Sequence, residues 1–71
     1  MNPTTSAAYS SILNAFVFEP FTRGAARRAG LEEALRICEL AGLVKFVRCI
    51  GAAPDGAGYN SDNELFRVVF A

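Results

Sequence analysis

The sequence lacks histidine entirely and contains only two cysteines, Cys38 and Cys49. Without histidine there is no imidazole to act as a general base, and a closed zinc site would lack most of its usual ligands. Two cysteines do not make a disulfide framework, so we interpret both as structural thiols in a reducing compartment. We therefore expect a protein that is not an enzyme and that carries no metal or cofactor.

The chain also lacks a net charge, because seven basic residues balance seven acidic ones. Proteins that bind DNA usually carry a basic surplus, since neutralising phosphates supplies much of their affinity. The charge is uneven along the chain: Arg23, Arg27 and Arg28 precede Gly30, and three glutamates follow it. The balance makes DNA a possible but disfavoured partner.

No hydrophobic run approaches the roughly 18 residues that a membrane span requires. The first residues lack the basic region and the long apolar core of a signal peptide. We expect a cytoplasmic protein without a membrane partner, folded as one small domain over residues 1–71.

The sequence predicts three helices. The first covers 7–16, capped by Thr4, Thr5 or Ser6 after a flexible segment 1–6. The second covers 23–29, is capped by Thr22 and closes at Gly30. The third runs from Gly30 to Leu43, with apolar residues at helical spacing and Gly42 at the position of a left-handed C-terminal residue.

Two strands follow, at 44–50 and 64–70, and they predict an antiparallel hairpin with a long loop over 51–63. Alternation places Val44, Phe46 and Ile50 on one face and Val47 and Cys49 on the other. On the second strand Phe66, Val68 and Phe70 oppose Leu65 and Val69. Since both faces are apolar, either one face is an interface, or the first helix wraps around and buries both.

Aromatic residues mark the end of the first predicted helix. Phe18 and Phe21 lie on either side of Pro20, and we interpret both as anchors that hold this connection against the core. The glycines of the hairpin loop do not predict a nucleotide site, because no helix follows them to receive a phosphate.

The helical residues and hairpin together resemble a winged-helix domain. Ala26 followed by Gly30 is similar to the second helix and turn of helix-turn-helix proteins, and 39–44 resembles the end of a recognition helix entering its wing. The chain departs from that pattern because the interval from Gly30 to Gly42 is short and begins with Glu32 and Glu33. The implied fold class is α+β, with short helices before a C-terminal antiparallel hairpin.

In size and style the chain also resembles small bacteriophage-encoded regulators that bind bacterial RNA polymerase. We therefore expect a small regulator that binds a protein, RNA polymerase being one candidate. The alternatives are a DNA-binding regulator, with the arginines on phosphates and the loop as a wing, and a homodimeric module. The residues expected to contact a partner are Arg23, Arg27, Arg28, Phe46, Val47, Arg48, Phe66, Arg67 and Val69.

Overall fold

The computed structural model of the chain describes residues 1–17 and 19–70. In chain order the elements are helix α1 (Pro3–Ala15), strand β1 (Phe21–Thr22), helix α2 (Arg23–Arg28), helix α3 (Glu32–Leu40), strand β2 (Val44–Cys49) and strand β3 (Glu64–Val68). A short 3-10 helix, Ser61–Asn63, lies directly before β3. The α+β class and the C-terminal antiparallel hairpin are confirmed.

Helix α1 begins four residues earlier than the sequence predicted. The Asn2 side chain accepts a hydrogen bond from the Thr5 amide at 2.8 Å, and Pro3 occupies the first turn. Proline suits this position because its missing N–H would have no helical acceptor. The predicted capping by Thr4, Thr5 or Ser6 was wrong, and residues 3–6 belong to the helix.

The predicted cap of α2 and the two glycine turns are confirmed, whereas α3 covers Glu32–Leu40 and is shorter than the predicted 30–43. Thr22 caps α2 by accepting from the Ala25 amide at 3.1 Å. Gly30 and Gly42 follow α2 and α3 with φ of 74° and 73°. After each glycine the chain turns back, so that Leu31 donates to the Ala26 carbonyl and Leu43 to the Cys38 carbonyl, as in a Schellman motif.

The sheet has three strands in the order β1-β3-β2, all antiparallel. The two-residue strand β1 was not predicted, since so short a segment leaves no pattern in the sequence. Its Phe21 stacks on Phe16 with ring centroids 4.3 Å apart and also lies 6.1 Å from Phe66. Phe21 therefore anchors the connection after α1 as predicted, whereas Phe18 lies outside the described residues.

The core lies between the helices and one face of this sheet. Helix α1 packs mainly against α3 instead of wrapping around the hairpin, so the helices of the described residues cover one face of the sheet. Every buried residue of the strands has its side chain on that covered face. The core residues are Ala8, Ile12, Phe21, Ala26, Leu35, Cys38, Val44, Phe66 and Val68.

Candidate interaction surface

A bulge in β2 decides which side chains face solvent. Phe46 pairs with Phe66, but the next pair is Arg48 with Leu65, so Val47 is an extra residue. Past a bulge the alternation shifts by one residue. Cys49 pairs with Glu64 and therefore lies on the covered face, not on the face of Val47 as simple alternation had predicted.

The opposite side of the hairpin forms a surface that we call the open face. It consists of Lys45, Val47, Arg48, Leu65 and Arg67, with Val69 continuing it beyond β3. Val47 and Val69 are 44% and 37% exposed, and Leu65 is half-buried. Aliphatic and basic side chains thus alternate over a sheet face against which no helix of residues 1–17 and 19–70 packs.

The basic residues of the open face have no acidic partners in the described part of the chain. Lys45 stands directly opposite Arg67 in the pairing of β2 with β3, and Arg48 follows one bulge later. The ion pairs of the described residues involve other arginines. Like charges directly opposite each other in a sheet are destabilising, so the open face holds an unfavourable pair.

Arg23 lies on the covered side and links three elements. Its Nε donates to Glu64 at 2.6 Å and its Nη2 to Glu39 at 3.0 Å, while its guanidinium lies 5.0 Å from the centre of the Phe66 ring. Burial of Arg23 lowers its pKa, but the hydrogen bonds that Arg23 donates to these two carboxylates outweigh this effect and leave its pKa raised. These contacts give Arg23 a structural role between α2, α3 and β3.

The two other arginines of the predicted contact group differ from each other. Arg27 forms an ion pair with Asp62, which holds the loop before β3 against α2 and raises the pKa of Arg27. Arg28 is exposed and has no ion pair among the described residues. Of the three predicted arginines, only Arg28 therefore presents an uncompensated charge.

The two phenylalanines of the predicted contact group also differ. Phe66 is 1% exposed and lies in the core, so it is not accessible to a partner. Phe46 packs edge-on against Phe66 at 5.9 Å, yet it remains 48% exposed because β2 is an edge strand. Phe46 thus offers an apolar surface on the covered side of the sheet, beside the basic open face.

The outer surface of α3 is acidic where a groove-binding helix would need positive charge. Glu32 and Glu33 occupy its first turn. Arg36 donates to Glu33 through two nitrogens, and this contact lowers the pKa of Glu33 and raises that of Arg36. The arrangement resembles helix-end electrostatics more than a reaction centre.

Neither thiol has the surroundings of a nucleophile. Cys38 is fully buried, and burial raises the pKa of its thiol. Cys49 is half-buried, and its Sγ lies 3.3 Å from the Asn60 carbonyl. Within residues 1–17 and 19–70, no three His, Cys, Asp or Glu side chains are grouped to hold a metal ion, and no helix is long and apolar enough to cross a membrane.

Sequence reasoning missed Lys45 as a candidate contact residue, although it selected Arg67 and Val47 from the same face. The signal was present in the sequence, because Lys45 and Val47 are two residues apart on β2 and strand alternation places both on the same face. Comparison of the chain with protein-family models, with curated proteins and with solved structures found no match. The case for a function therefore depends on the surface itself.

Proposed function

We propose that this protein is a small non-enzymatic regulator that acts by binding another protein through its open face. The observation that carries the proposal is the unpaired, like-charged pair Lys45 and Arg67 beside exposed aliphatic residues. An arrangement that costs stability in the free protein is typical of sites kept for a binding role. An acidic surface on the partner would relieve the repulsion.

Protection against aggregation does not account for the whole pair. Lysine on an edge strand commonly prevents unwanted strand pairing, and this could explain Lys45 on β2. Arg67, however, lies on the central strand β3, next to Phe66, which is paired with β1 on one side and with β2 on the other. Its charge beside Lys45 therefore requires a different reason, and recognition of an acidic partner supplies one.

We further propose that the fold is of the winged-helix type, used here for protein binding. The order of helices and strands, with β3 in the middle of the sheet, supports this resemblance. Reading of DNA is not supported, because α3 begins with Glu32 and Glu33 and because Arg23 and Arg27 are neutralised by carboxylates. The similarity in style to phage regulators makes bacterial RNA polymerase, in the host cytoplasm, the first candidate partner to test.

The test is an affinity pull-down from bacterial lysate, run with and without nuclease, in which the wild type is compared with Lys45→Glu. This substitution creates an opposite-charge pair with Arg67, so it should raise the unfolding free energy by a few tenths of a kcal/mol. It should also weaken partner recovery at least about tenfold, since the acidic partner now meets a negative charge. A more stable but weaker-binding variant separates recognition from folding.

Arg28→Glu is the matched control, because it makes the same change of charge on α2, away from the open face. Its partner recovery should stay close to that of the wild type. Equal losses in both variants would mean that only net charge matters, and a loss confined to Arg28→Glu would move the contact surface to α2. Recovery that disappears with nuclease would replace the proposal with nucleic-acid binding.

A further inference from the structure

The backbone of β2 has a free edge whose hydrogen-bonding groups can be assigned. The Val69 amide donates to the Leu43 carbonyl at 2.9 Å, and the Ile50 amide donates to the Asn63 carbonyl at 2.9 Å. Hydrogen-bonded and non-hydrogen-bonded pairs alternate along an antiparallel ladder. Counting from Leu43, the N–H and C=O groups of Val44 and Phe46 point away from β3, toward the outside of the sheet.

Nothing in the described part of the chain pairs with this edge, because β2 is the outer strand in the order β1-β3-β2. Side chains of opposite character flank it. Lys45 lies on the basic open face, whereas the half-exposed ring of Phe46 lies on the covered side. A strand placed beside β2 would therefore have one face against positive charge and the other against an apolar ring.

We infer that the partner contributes an extended acidic segment that adds to the outer edge of β2 as a further strand. Its carboxylates would alternate with apolar residues, so that the carboxylates reach Lys45 and Arg48 while the apolar residues pack on Phe46. The Phe46 amide and carbonyl would supply the central backbone hydrogen bonds. This inference rests on the proposed function and specifies the chemistry of its partner.

A second copy of this chain fits the edge less well. Antiparallel pairing of β2 with itself would bring Lys45 and Arg48 of both copies onto one face, and like charges across a strand pair repel. A nucleic acid fits less well too, because bases stack on aromatic rings that lie within the basic surface. Here the exposed ring and the basic residues lie on opposite sides of the sheet.

The probe is a synthetic peptide of about twelve residues in which glutamate and valine alternate, a length that covers β2 with room for register. Its control has the same composition in an order that does not alternate. Binding is measured by isothermal calorimetry and by amide chemical shifts of the labelled protein. The alternating peptide should bind at least about tenfold more tightly than the control, with its largest shifts over residues 44–49.

A backbone change tests strand addition without altering any side chain. Total synthesis with ligation at Cys38 allows N-methylation of the Phe46 amide, which removes one outward donor. The matched control is N-methylation of Thr4, in the first turn of α1, where amides have no intrahelical acceptor. Methylation at Phe46 should lower peptide affinity at least about tenfold, whereas methylation at Thr4 should leave the affinity unchanged. Circular dichroism should show that both methylated proteins are folded.

Strand addition is excluded if the alternating peptide binds no better than its control, if its shifts map away from β2, or if N-methylation of Phe46 has no effect. A single-stranded oligonucleotide of equal charge that displaces the peptide would also exclude it. These failures are distinct from failure of the proposed function. The proposed function is judged by the pull-down with Lys45→Glu, because the charge of the open face affects partner recovery whether or not the partner adds a strand.

Discussion

Arg23 joins helices α2 and α3 to the sheet through polar contacts. Its guanidinium contacts Glu39 of α3, Glu64 of β3 and the face of the Phe66 ring, with its side chain only 24% exposed. The planar fork of arginine allows two carboxylates to be bound at once, which a lysine ammonium does not reproduce with the same geometry. The residue therefore stabilises the fold more than an exposed ion pair would.

We accordingly expect Arg23→Lys to lower the unfolding free energy by an amount on the order of 1 kcal/mol. Urea unfolding followed by circular dichroism measures the change. Arg36→Lys is the control, because the contact of Arg36 with Glu33 lies on an exposed helix surface, and it should have little effect. Equal effects of the two substitutions would contradict a special role for Arg23.

Glu64 links this cluster to the pH dependence of stability. The Tyr59 hydroxyl donates to it, and this hydrogen bond, followed by that of Arg23, lowers the pKa of Glu64. The same bond raises the pKa of Tyr59 to about 12. A depressed carboxyl pKa gives stability above its unfolded value of about 4.3, and this stability is lost as the pH falls through the folded value.

The corresponding prediction is that Glu64→Gln flattens the acid limb of the stability profile. Urea midpoints of the wild type should fall as the pH is lowered from about 5 to about 2, and those of the variant should fall less. The variant should also allow Tyr59 to ionise at a lower pH than in the wild type, as followed by phenolate absorbance. An unchanged acid limb would show that Glu64 does not contribute in this way.

At the scale of elements, two similar turns set the directions of α2 and α3. Gly30 and Gly42 each take a positive φ, and the amide that follows each returns to a carbonyl in the last turn of its helix. A Cβ at either glycine would meet no atom within 4 Å. Any cost of a side chain there is therefore one of backbone conformation and not of crowding.

Gly42→Ala should lower the unfolding free energy by about 1 kcal/mol, because a left-handed conformation is unfavourable for alanine. Gly42→Asn is the control, since asparagine tolerates this conformation better, and it should lose less. Thermal unfolding of the three proteins provides the comparison. If alanine and asparagine cost the same, the left-handed backbone does not account for the loss.

At the scale of the whole molecule, a chain with no net charge has its charges separated. Acidic side chains neutralise Arg23, Arg27 and Arg36, while Lys45, Arg48 and Arg67 have no ion pair among the described residues. The open face is consequently basic although the protein is neutral. The neutral composition therefore gave no indication that one surface of the protein is basic.

The free edge of β2 also leads to a prediction about association. Lys45 and Arg48 should keep the wild type monomeric, because charged residues on an edge strand oppose pairing between copies. Replacing both with threonine should produce a mass in light scattering that rises with concentration. A wild-type protein that is already dimeric would instead favour the homodimeric module and contradict this role of the two charges.

Local signals in the sequence determined much of the fold. Thr22, Gly30 and Gly42 fixed helix boundaries because capping and left-handed turns depend on a few adjacent residues. The apolar strands around a glycine-rich loop determined the hairpin. Two helix assignments were wrong. The cap of α1 was placed too late, since three hydroxyl residues follow the capping Asn2, and α3 covers Glu32–Leu40 instead of the whole interval 30–43.

Tertiary structure alone decided what depends on pairing between distant residues. The bulge at Val47 placed Cys49 on the covered face, and strand register placed Lys45 opposite Arg67. The contacts of Arg23 with Glu39 and Glu64 join residues far apart in the chain. Such arrangements follow from register and packing, which no short window of sequence contains, and they determine which charges remain available to a partner.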